Sequence, residues 1–548
     1  MIREWIISGA AALSLLLPSA ASAQEAPARK PNFLIIVADD LGFSDIGAFG
    51  GEIDTPNLDA LALHGLRLTG FHSAPTCSPT RSMLLSGTDN HIAGLGNMAE
   101  MVADNQRGRP GYQGYLNPDT ASLAERLRAG GYRTLLSGKW HLGTAPAQDP
   151  HARGFDRSFA LLQGASNHFG LGLSTDPAKG ATYTQDGKPL EKLPGDFYSS
   201  DAFATKLLEE LSDTADSGKP FFAYLAFTAP HWPLQAPASD IAKYRGRYDA
   251  GFEALRQQRL KRQAELGLID PARDAHVPVL KNGGWEALTP AQRTEQSRLM
   301  EIYAAMVDRL DKNVGRVIDY LKLTGQFDNT IILFTSDNGA EGMDVADGSL
   351  PQLQPIVAAA DNRLANLGAA TSYVSYGPGW AQAATAPSWL FKAYTSEGGT
   401  HVPAFFSSLL LRHPAGISAA FGTVQDIVPT FLELAGLPPA SPTFAGRPVE
   451  PVRGTSWAAH LRGESKEVHR PDEATGWELF GHRAIRQGDW KIVALADGEW
   501  QLFNLAEDPG ETRDLAAAQP ARLKRLIAAW NDYARQTGVI LPDKSYKP

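Results

Sequence analysis

Cysteine is almost missing from this sequence: Cys77 is the single one in 548 residues. A lone thiol cannot close a disulfide within its own chain, so no covalent staple organises the fold. An excess of basic charge is missing as well. Lys and Arg total 51 against 60 Asp and Glu, a net charge of −9. That balance argues against nucleic acid or an anionic membrane as the main partner. After the N-terminal segment no run of about 18 uncharged apolar residues occurs, so the mature chain is expected not to span a membrane. Repeats and low-complexity tracts are absent too. What is present suits a soluble globular chain: 43% hydrophobic and 20% charged residues, with 11 Trp and 15 Tyr. Such aromatic content argues against extensive disorder.

The N-terminus reads as a secretory signal covering residues 1–23. Arg3 gives a weak positive start, cancelled by Glu4, and Trp5 to Leu17 is mostly apolar. Ala21-Ser22-Ala23 offers a small-residue cleavage site before Gln24. Cleavage removes one Arg and one Glu, so the net charge stays at −9. A periplasmic or secreted destination follows. The apolar run is short for an uncleaved anchor.

Four apolar runs read as strands buried on both faces, because they do not alternate. Asn32 to Ala38 runs into Asp39-Asp40, and Tyr132 to Ser137 into Gly138-Lys139-Trp140-His141. Phe221 to Phe227 runs into Thr228-Ala229-Pro230-His231, and Thr330 to Ser336 into Asp337-Asn338-Gly339. Helices open at Thr55-Pro56, ending near Gly65, and at Thr289-Pro290, closed by Gly325. The second carries Leu299, Ile302, Tyr303, Met306, Leu310, Val314, Val317 and Leu321 on one stripe. Strands alternating with helices imply an α/β doubly wound sheet, whose ligands bind beyond the carboxyl ends of strands. One sheet would therefore gather Asp39, Asp40, Lys139, His141, His231, Asp337 and Asn338 into one site.

The expected division is a catalytic α/β domain over 24–450 and a small C-terminal domain over 451–548. In the latter, short strands at Arg483 to Arg486, Trp490 to Val493 and Trp500 to Asn504 alternate with turns. A four-stranded antiparallel sheet and a helix from about Pro520 are predicted. Residues 238–285, with Lys243, Arg245, Arg247, Arg256, Arg259, Lys261 and Arg262, read as a solvated helical surface rather than a binding patch.

Ser78 is a good N-cap and Pro79 suits the first helical position, so a helix is predicted to start there. Cys77 would lie just ahead of its N-terminus, where the dipole and free N–H groups favour an anion. On position alone, a buried cysteine acting as a small hydrophobe is an equal alternative. Asp39, Asp40, Asp337 and Asn338 form an all-oxygen set, which suits a hard cation, calcium before magnesium. An acid/base pair or a capped loop remains open for either Asp pair alone. Arg81, Lys139, His141, His231 and Lys392 supply the opposite sign, and Lys392 precedes the donor-rich Glu397-Gly398-Gly399-Thr400. Together they describe a pocket for a tetrahedral oxyanion such as sulfate or phosphate.

Cys77-Ser78-Pro79-Thr80-Arg81 resembles the Cys-x-Pro-x-Arg signature of the formylglycine-dependent sulfatases. Companion motifs occur in order: Asp39-Asp40, Gly138-Lys139-Trp140-His141, Pro230-His231, Ser336-Asp337-Asn338-Gly339 and Lys392 before Gly398-Gly399. Gly488-Asp489-Trp490-Lys491 and Leu502-Phe503-Asn504-Leu505 are similar to the family's small domain. Gly87 to Gly94 and Tyr376 to Ala383 look most like bacterial arylsulfatases. The resemblance runs from about residue 31 to the C-terminus.

The resemblance implies an alkaline-phosphatase-like fold and hydrolysis of sulfate monoesters. It implies that a formylglycine-generating enzyme oxidises Cys77 to an aldehyde, whose hydrate attacks sulfur. The second hydroxyl then lets the sulfated hydrate collapse by C–O cleavage. Asp39, Asp40, Asp337 and Asn338 would hold one calcium, with the modified Cys77 completing the shell. Asp337 would also take the nucleophile's proton. Arg81 and Lys139 would orient the diol, His141 would act as the base for collapse, and His231 and Lys392 would bind sulfate oxygens. Lys139→Ala or His231→Ala is expected to slow turnover severely with folding intact. A monomer acting on a small sulfate ester is expected, with Leu, Trp and Phe side chains near the motifs lining an aryl pocket. Export requires that oxidation precede or accompany it.

Two rivals stand beside this reading. Phosphonate monoester and phosphodiester hydrolases share Cys-x-Pro-x-Arg, but tend to carry His where this chain has Asn338 and lack the Lys139/His141 pair. An unconverted Cys77 would leave a calcium-dependent anion-binding protein.

Overall fold

The computed structural model describes Met1 and residues 29–213, 218–280, 283–348, 350–411 and 415–544. The signal-peptide reading falls outside the described residues. No helix among the described residues is long and apolar enough to cross a membrane.

A ten-stranded sheet forms the centre. Its middle runs Thr330–Ser336, Asn32–Ala38, Phe221–Ala226, Arg133–Lys139 and Arg157–Leu161, each parallel to the next. Ala404–Ser407 pairs antiparallel with Thr330–Ser336, and Tyr183–Gln185 pairs antiparallel with Arg157–Leu161. The large mixed, mostly parallel α/β sheet is therefore as the sequence reading expected. The reason for unbroken apolar runs is visible in the strand Asn32–Ala38. Phe33, Ile35 and Val37 pack into one core, while Leu34, Ile36 and Ala38 pack into another on the opposite face. Both faces are covered, so neither tolerates polar alternation.

The helix Pro290–Leu323 covers one face, opened by a capping box between Thr289 and Gln292. The helix Cys77–Ser86 covers the other with Met83, Leu84 and Leu85. This helix corrects the sequence reading. Its N-cap is Thr76, and Cys77 is already the first helical residue. Ser78 does not cap: its hydroxyl is buried with no hydrogen-bond partner among the described residues.

The segment read as solvated surface is also corrected in part. Arg259, on the helix Phe252–Glu265, is fully buried and bonds Asp45 Oδ1 at 2.6 Å and Glu52 Oε2 at 2.8 Å. Arg256 donates to the carbonyls of His276 and Pro387 at 2.8 and 2.9 Å. Both act as clamps on loops after the central strands. Their partners lie far off in sequence, so spacing along the helix carries no trace of them.

A four-stranded antiparallel sheet follows, Ala474–Leu479, His482–Gln487, Trp490–Ala494 and Gln501–Asn504, with the helix Pro520–Thr537 against it. It is tied to the large unit by buried charge. Lys491 Nζ lies 2.7 Å from Glu397 Oε1 and 3.0 Å from Glu511 Oε1, and His72 holds the other Glu397 oxygen at 2.9 Å. A second tie is His91, whose ring lies 2.9 Å from Asp89 and 3.3 Å from Glu478. Burial opposes its charge, but the two bonded carboxylates outweigh burial and raise its pKa to about 9.

Unfolded imidazole titrates near 6.5, so the folded state holds this proton more tightly. The stabilisation is complete below pH of about 6.5 and is lost as pH rises through about 9. It is on the order of 3 kcal/mol. Thermal melts across that window are expected to show declining stability, and His91→Gln is expected to flatten the decline. An unchanged slope in the variant would remove His91 as its cause.

Candidate active site

The four central strands end side by side, and each turns out a polar group. Asp39 N donates to Ala229 O at 3.0 Å and Asp337 N to Ala38 O at 3.1 Å, extending the ladder by one residue past the strands. Beyond them Asp40 takes a left-handed backbone, φ 67°, as does His141, φ 57°. Asp tolerates this region through its short polar side chain, and such residues cluster at functional sites. Two glycines permit the crowding. A Cβ on Gly138 would lie 1.8 Å from Ala226 O, and one on Gly339 would lie 1.8 Å from Gly398 O. Gly138 lets Lys139 enter from its strand end, and Gly339 seats Asn338 against the Glu397–Thr400 turn.

Cys77 is 1% exposed, with Sγ 3.4 Å from Asp39 Oδ1 and 3.9 Å from Asp40 Oδ1. Lys139 Nζ donates to both Asp39 oxygens at 2.9 and 2.7 Å. Arg81 grips Asp337 Oδ2 through Nε and Nη2 at 2.9 and 2.7 Å, and the Lys139 carbonyl through Nη1 at 3.0 Å. Lys392 Nζ lies 2.8 Å from Asp40 Oδ1 and 3.0 Å from Glu341 Oε2. Asn338 Nδ2 donates to Asp40 Oδ1 at 2.7 Å. His141 Nε2 meets Glu100 at 3.2 Å on the cavity wall. Every residue singled out in the sequence thus lies at this one strand edge.

The charge states follow from burial and neighbours. Burial, with Asp337 adding to it, pushes the Cys77 thiol well above its ordinary pKa. A thiol so held is a poor thiolate nucleophile. Burial likewise pushes Asp39 up to about 8, despite Lys139. Burial holds His141 below the usual imidazole range in spite of Glu100, with Lys139 and Arg81 acting the same way. Burial, then Lys392 and Lys139, hold His231 well below it. His231 Nδ1 meets the Trp232 carbonyl at 2.5 Å, an atom that only accepts, so Nδ1 carries the proton. Nε2 therefore presents a bare lone pair, 3.5 Å from Asp40 Oδ2.

Two acceptors facing each other without a proton between them suit a cation. Asp39, Asp40, Cys77 and His231 each bring a ligand atom to within 4.8 Å of the others. Asn338 Oδ1 is buried with no partner among the described residues. This donor set fits a bound metal ion. The sequence reading had His231 only among the sulfate-binding groups, and the geometry adds its Nε2 to the cluster.

The site opens into a cavity of about 570 Å³ that Cys77, His141, His231 and Lys392 all line. Its walls are largely apolar, with Met98, Met101, Leu162, Trp232, Tyr373 and Phe480. Sequence reasoning missed Glu341, Glu100 and the two methionines. Glu341 stands three residues past Asn338, so a longer window on that motif would have reached it. Nothing in spacing marks Glu100, Met98 or Met101, which sit between predicted elements.

A family model described as Sulfatase matches residues 31–437. The chain belongs to the sulfatase family. It is 50% identical over 532 residues to an uncharacterized sulfatase of Schizosaccharomyces pombe, covering 94% of this chain and 96% of that one. It is 40% identical over 455 residues to an arylsulfatase of Klebsiella aerogenes, covering 82% and 96%. The crystal structure of Ps i-CgsB in complex with k-i-k-neocarrahexaose superposes with a TM-score of 0.65 at 24% identity, covering 95% of each chain. That likeness shows the fold. The family and the arylsulfatase relatives make this sulfatase a sulfuric ester hydrolase.

Proposed function

We propose that this sulfatase is an exported arylsulfatase that hydrolyses sulfate monoesters of apolar alcohols and phenols, with residue 77 converted to Cα-formylglycine and one calcium ion bound. The observation that carries the reading is the setting of Cys77: a buried, protonated thiol beside two aspartates, ringed by lysine and arginine. A catalytic thiolate would need the opposite electrostatics. A position destined for oxidation to an aldehyde does not.

Asp39, Asp40, Asn338 and the modified residue 77 would hold the cation, with Asp337 and His231 at its edge. Calcium tolerates such an irregular donor set better than magnesium. The cation supplies positive charge that lowers the pKa of a hydroxyl, and the hydrated aldehyde supplies that hydroxyl. Asp40, Asp337 and Glu341 face Arg81, Lys139 and Lys392, and Asp39, whose pKa burial holds up to about 8, brings the set to one negative charge in excess once a cation displaces its proton. A divalent ion reverses that to one positive charge, the complement of a monoanionic sulfate ester.

The chain's own groups do the rest. Arg81 fixes Asp337, which accepts the nucleophile's proton. Lys139 neutralises charge beside residue 77. Neutral His141 is the base that acts at residue 77 when sulfate leaves. Lys392 reaches sulfate and leaving-group oxygens from the opposite wall, and His231 joins it once Nε2 has taken up a proton. The apolar walls exclude water from the leaving group and favour an aryl or alkyl substituent.

Intact-mass analysis of the residue-77 peptide tests the conversion, since the aldehyde is lighter than the thiol. An unmodified thiol in active protein would sink it. An aryl sulfate is expected to turn over faster than the matching aryl phosphonate, and the reverse order favours the phosphonate rival. Calcium at 100 times its Kd is expected to stabilise the fold by about 2.7 kcal/mol, seen as a higher melting temperature. Chelation is expected to lower both melting temperature and rate. A melt indifferent to both additions would remove the ion.

A further inference from the structure

A cleft of about 990 Å³, larger than the active-site cavity, lies between the edge of the large sheet and the C-terminal sheet. Phe480 lines the active-site cavity, whereas Arg486 and Trp490 line the cleft. Phe480 precedes the strand His482–Gln487 and Arg486 stands four residues along it, a span of roughly 13 Å at about 3.3 Å per residue. The two cavities therefore lie at opposite ends of the small sheet.

The cleft is cationic in a chain of net charge −9. Lys466, His469, Arg470, Arg486, Arg522 and Arg525 line it. His469 and Arg470 are paired with three carboxylates, Asp426, Asp472 and Glu473, one negative charge in excess. Among the described residues the other four have no ion-pair partner, and with Glu467 and Asp489 the negative charges left over come to three, one fewer than these four cations.

Two guanidinium groups are held alike. Arg486 lies over the Phe421 ring at 4.3 Å, with Nε donating to the Gly488 carbonyl at 2.9 Å. Arg522 lies over the Trp490 ring at 3.8 Å, with Nε donating to Gln519 Oε1 at 3.2 Å. In both, stacking and one hydrogen bond fix the plane, and neither terminal amino group has a protein partner among the described residues. A fixed guanidinium with an open fork loses little entropy on meeting an oxyanion and presents two parallel donors to it.

We propose that this cleft is a second binding site, separate from the reacting centre, for a ligand bearing several sulfate or phosphate ester groups. Its size admits more than one such group, and Arg486, Arg522, Arg525 and Lys466 each offer a charge-assisted contact. Singly charged ligands are less favoured, because Glu467 and Asp489 leave only multiply charged ones a clear electrostatic gain.

Sucrose octasulfate and inositol hexakisphosphate, titrated calorimetrically into the whole protein, test it and separate the two ester types. Binding of at least one is expected, weakening with salt and falling tenfold or more in Arg522→Gln/Arg525→Gln. Both positions are on the outer helix, so melting is expected to be unchanged, as is turnover of a small aryl sulfate. No binding of either probe to the wild type would overturn the proposal. So would equal binding to the double variant, or simple competition between the bound probe and the aryl sulfate.

Discussion

Replacing Cys77 by alanine is expected to reduce aryl sulfate hydrolysis to background while the protein still folds. The side chain is small and sits at the first turn of its helix, and its strongest polar contact is a thiol reaching Asp39 at 3.4 Å. Losing it costs about 1 kcal/mol, the ordinary price of a point change. The chemical loss is expected to be total, because in the proposed mechanism the attacking hydroxyl is made from residue 77 itself. Cys77→Ser separates two explanations. A serine hydroxyl in this position has the oxygen needed to attack sulfur but no second hydroxyl to expel sulfate. Its sulfate ester is expected to accumulate on residue 77 after a single turnover and to be visible by mass. Wild-type-like rates in purified Cys77→Ala would end the mechanism. A serine variant that turns over freely would show that water, not the residue itself, releases sulfate.

Much of this site was legible because of where polarity begins. In the strand Asn32–Ala38 both faces are buried, so the first polar residues mark the strand's end, and the ends of adjacent parallel strands share one edge. Four such boundaries place Asp39, Lys139, His231 and Asp337 together on sequence grounds alone. Local sequence was less reliable at the helix start. Ser78 and Pro79 have the composition of a cap, yet Thr76 takes the N-cap position and the Ser78 hydroxyl stays unpaired. Tertiary packing at Cys77 overrides the local preference. Arg256 and Arg259 were misread for the converse reason. Their sequence neighbours are charged, and only the fold brings Asp45, Glu52 and a set of carbonyls to them. Glu100, Met98 and Met101 enter the cavity wall from one short 3-10 turn, Ala99–Met101, and the residue before it, too short for any periodicity to read. The basic cleft is assembled from distant segments and left no pattern in any of them.

Lys139→Ala is expected to lower kcat by about 10²–10³, the usual loss when one fixed charge leaves a reacting centre. Folding intact, as the sequence alone suggested, is not the expectation once the pair is seen. Lys139 is fully buried, and its ammonium meets both oxygens of a fully buried Asp39. Breaking such a pair costs about 3–5 kcal/mol when the remaining charge stays. Asp39 has another course: burial already holds its pKa up to about 8, and Lys139 is what pulls it down. Without the lysine that pKa rises further, so the carboxyl stays protonated at neutral pH rather than become a bare buried charge. The sign of the pH dependence follows. A carboxyl whose folded pKa lies above its unfolded value is most stabilising below the unfolded value, near 3.8, and that contribution is lost as pH rises through the folded pKa. Below pH of about 8 both proteins keep this proton when folded, so the gap in melting temperature between variant and wild type is expected to stay flat there and to widen as pH rises above about 8. Calcium is expected to narrow it, since the ion would replace the missing positive charge beside Asp39. A variant with the wild-type kcat but the full stability loss would make Lys139 a scaffold for Asp39 alone, and charge neutralisation at residue 77 would then fall to Arg81 and Lys392.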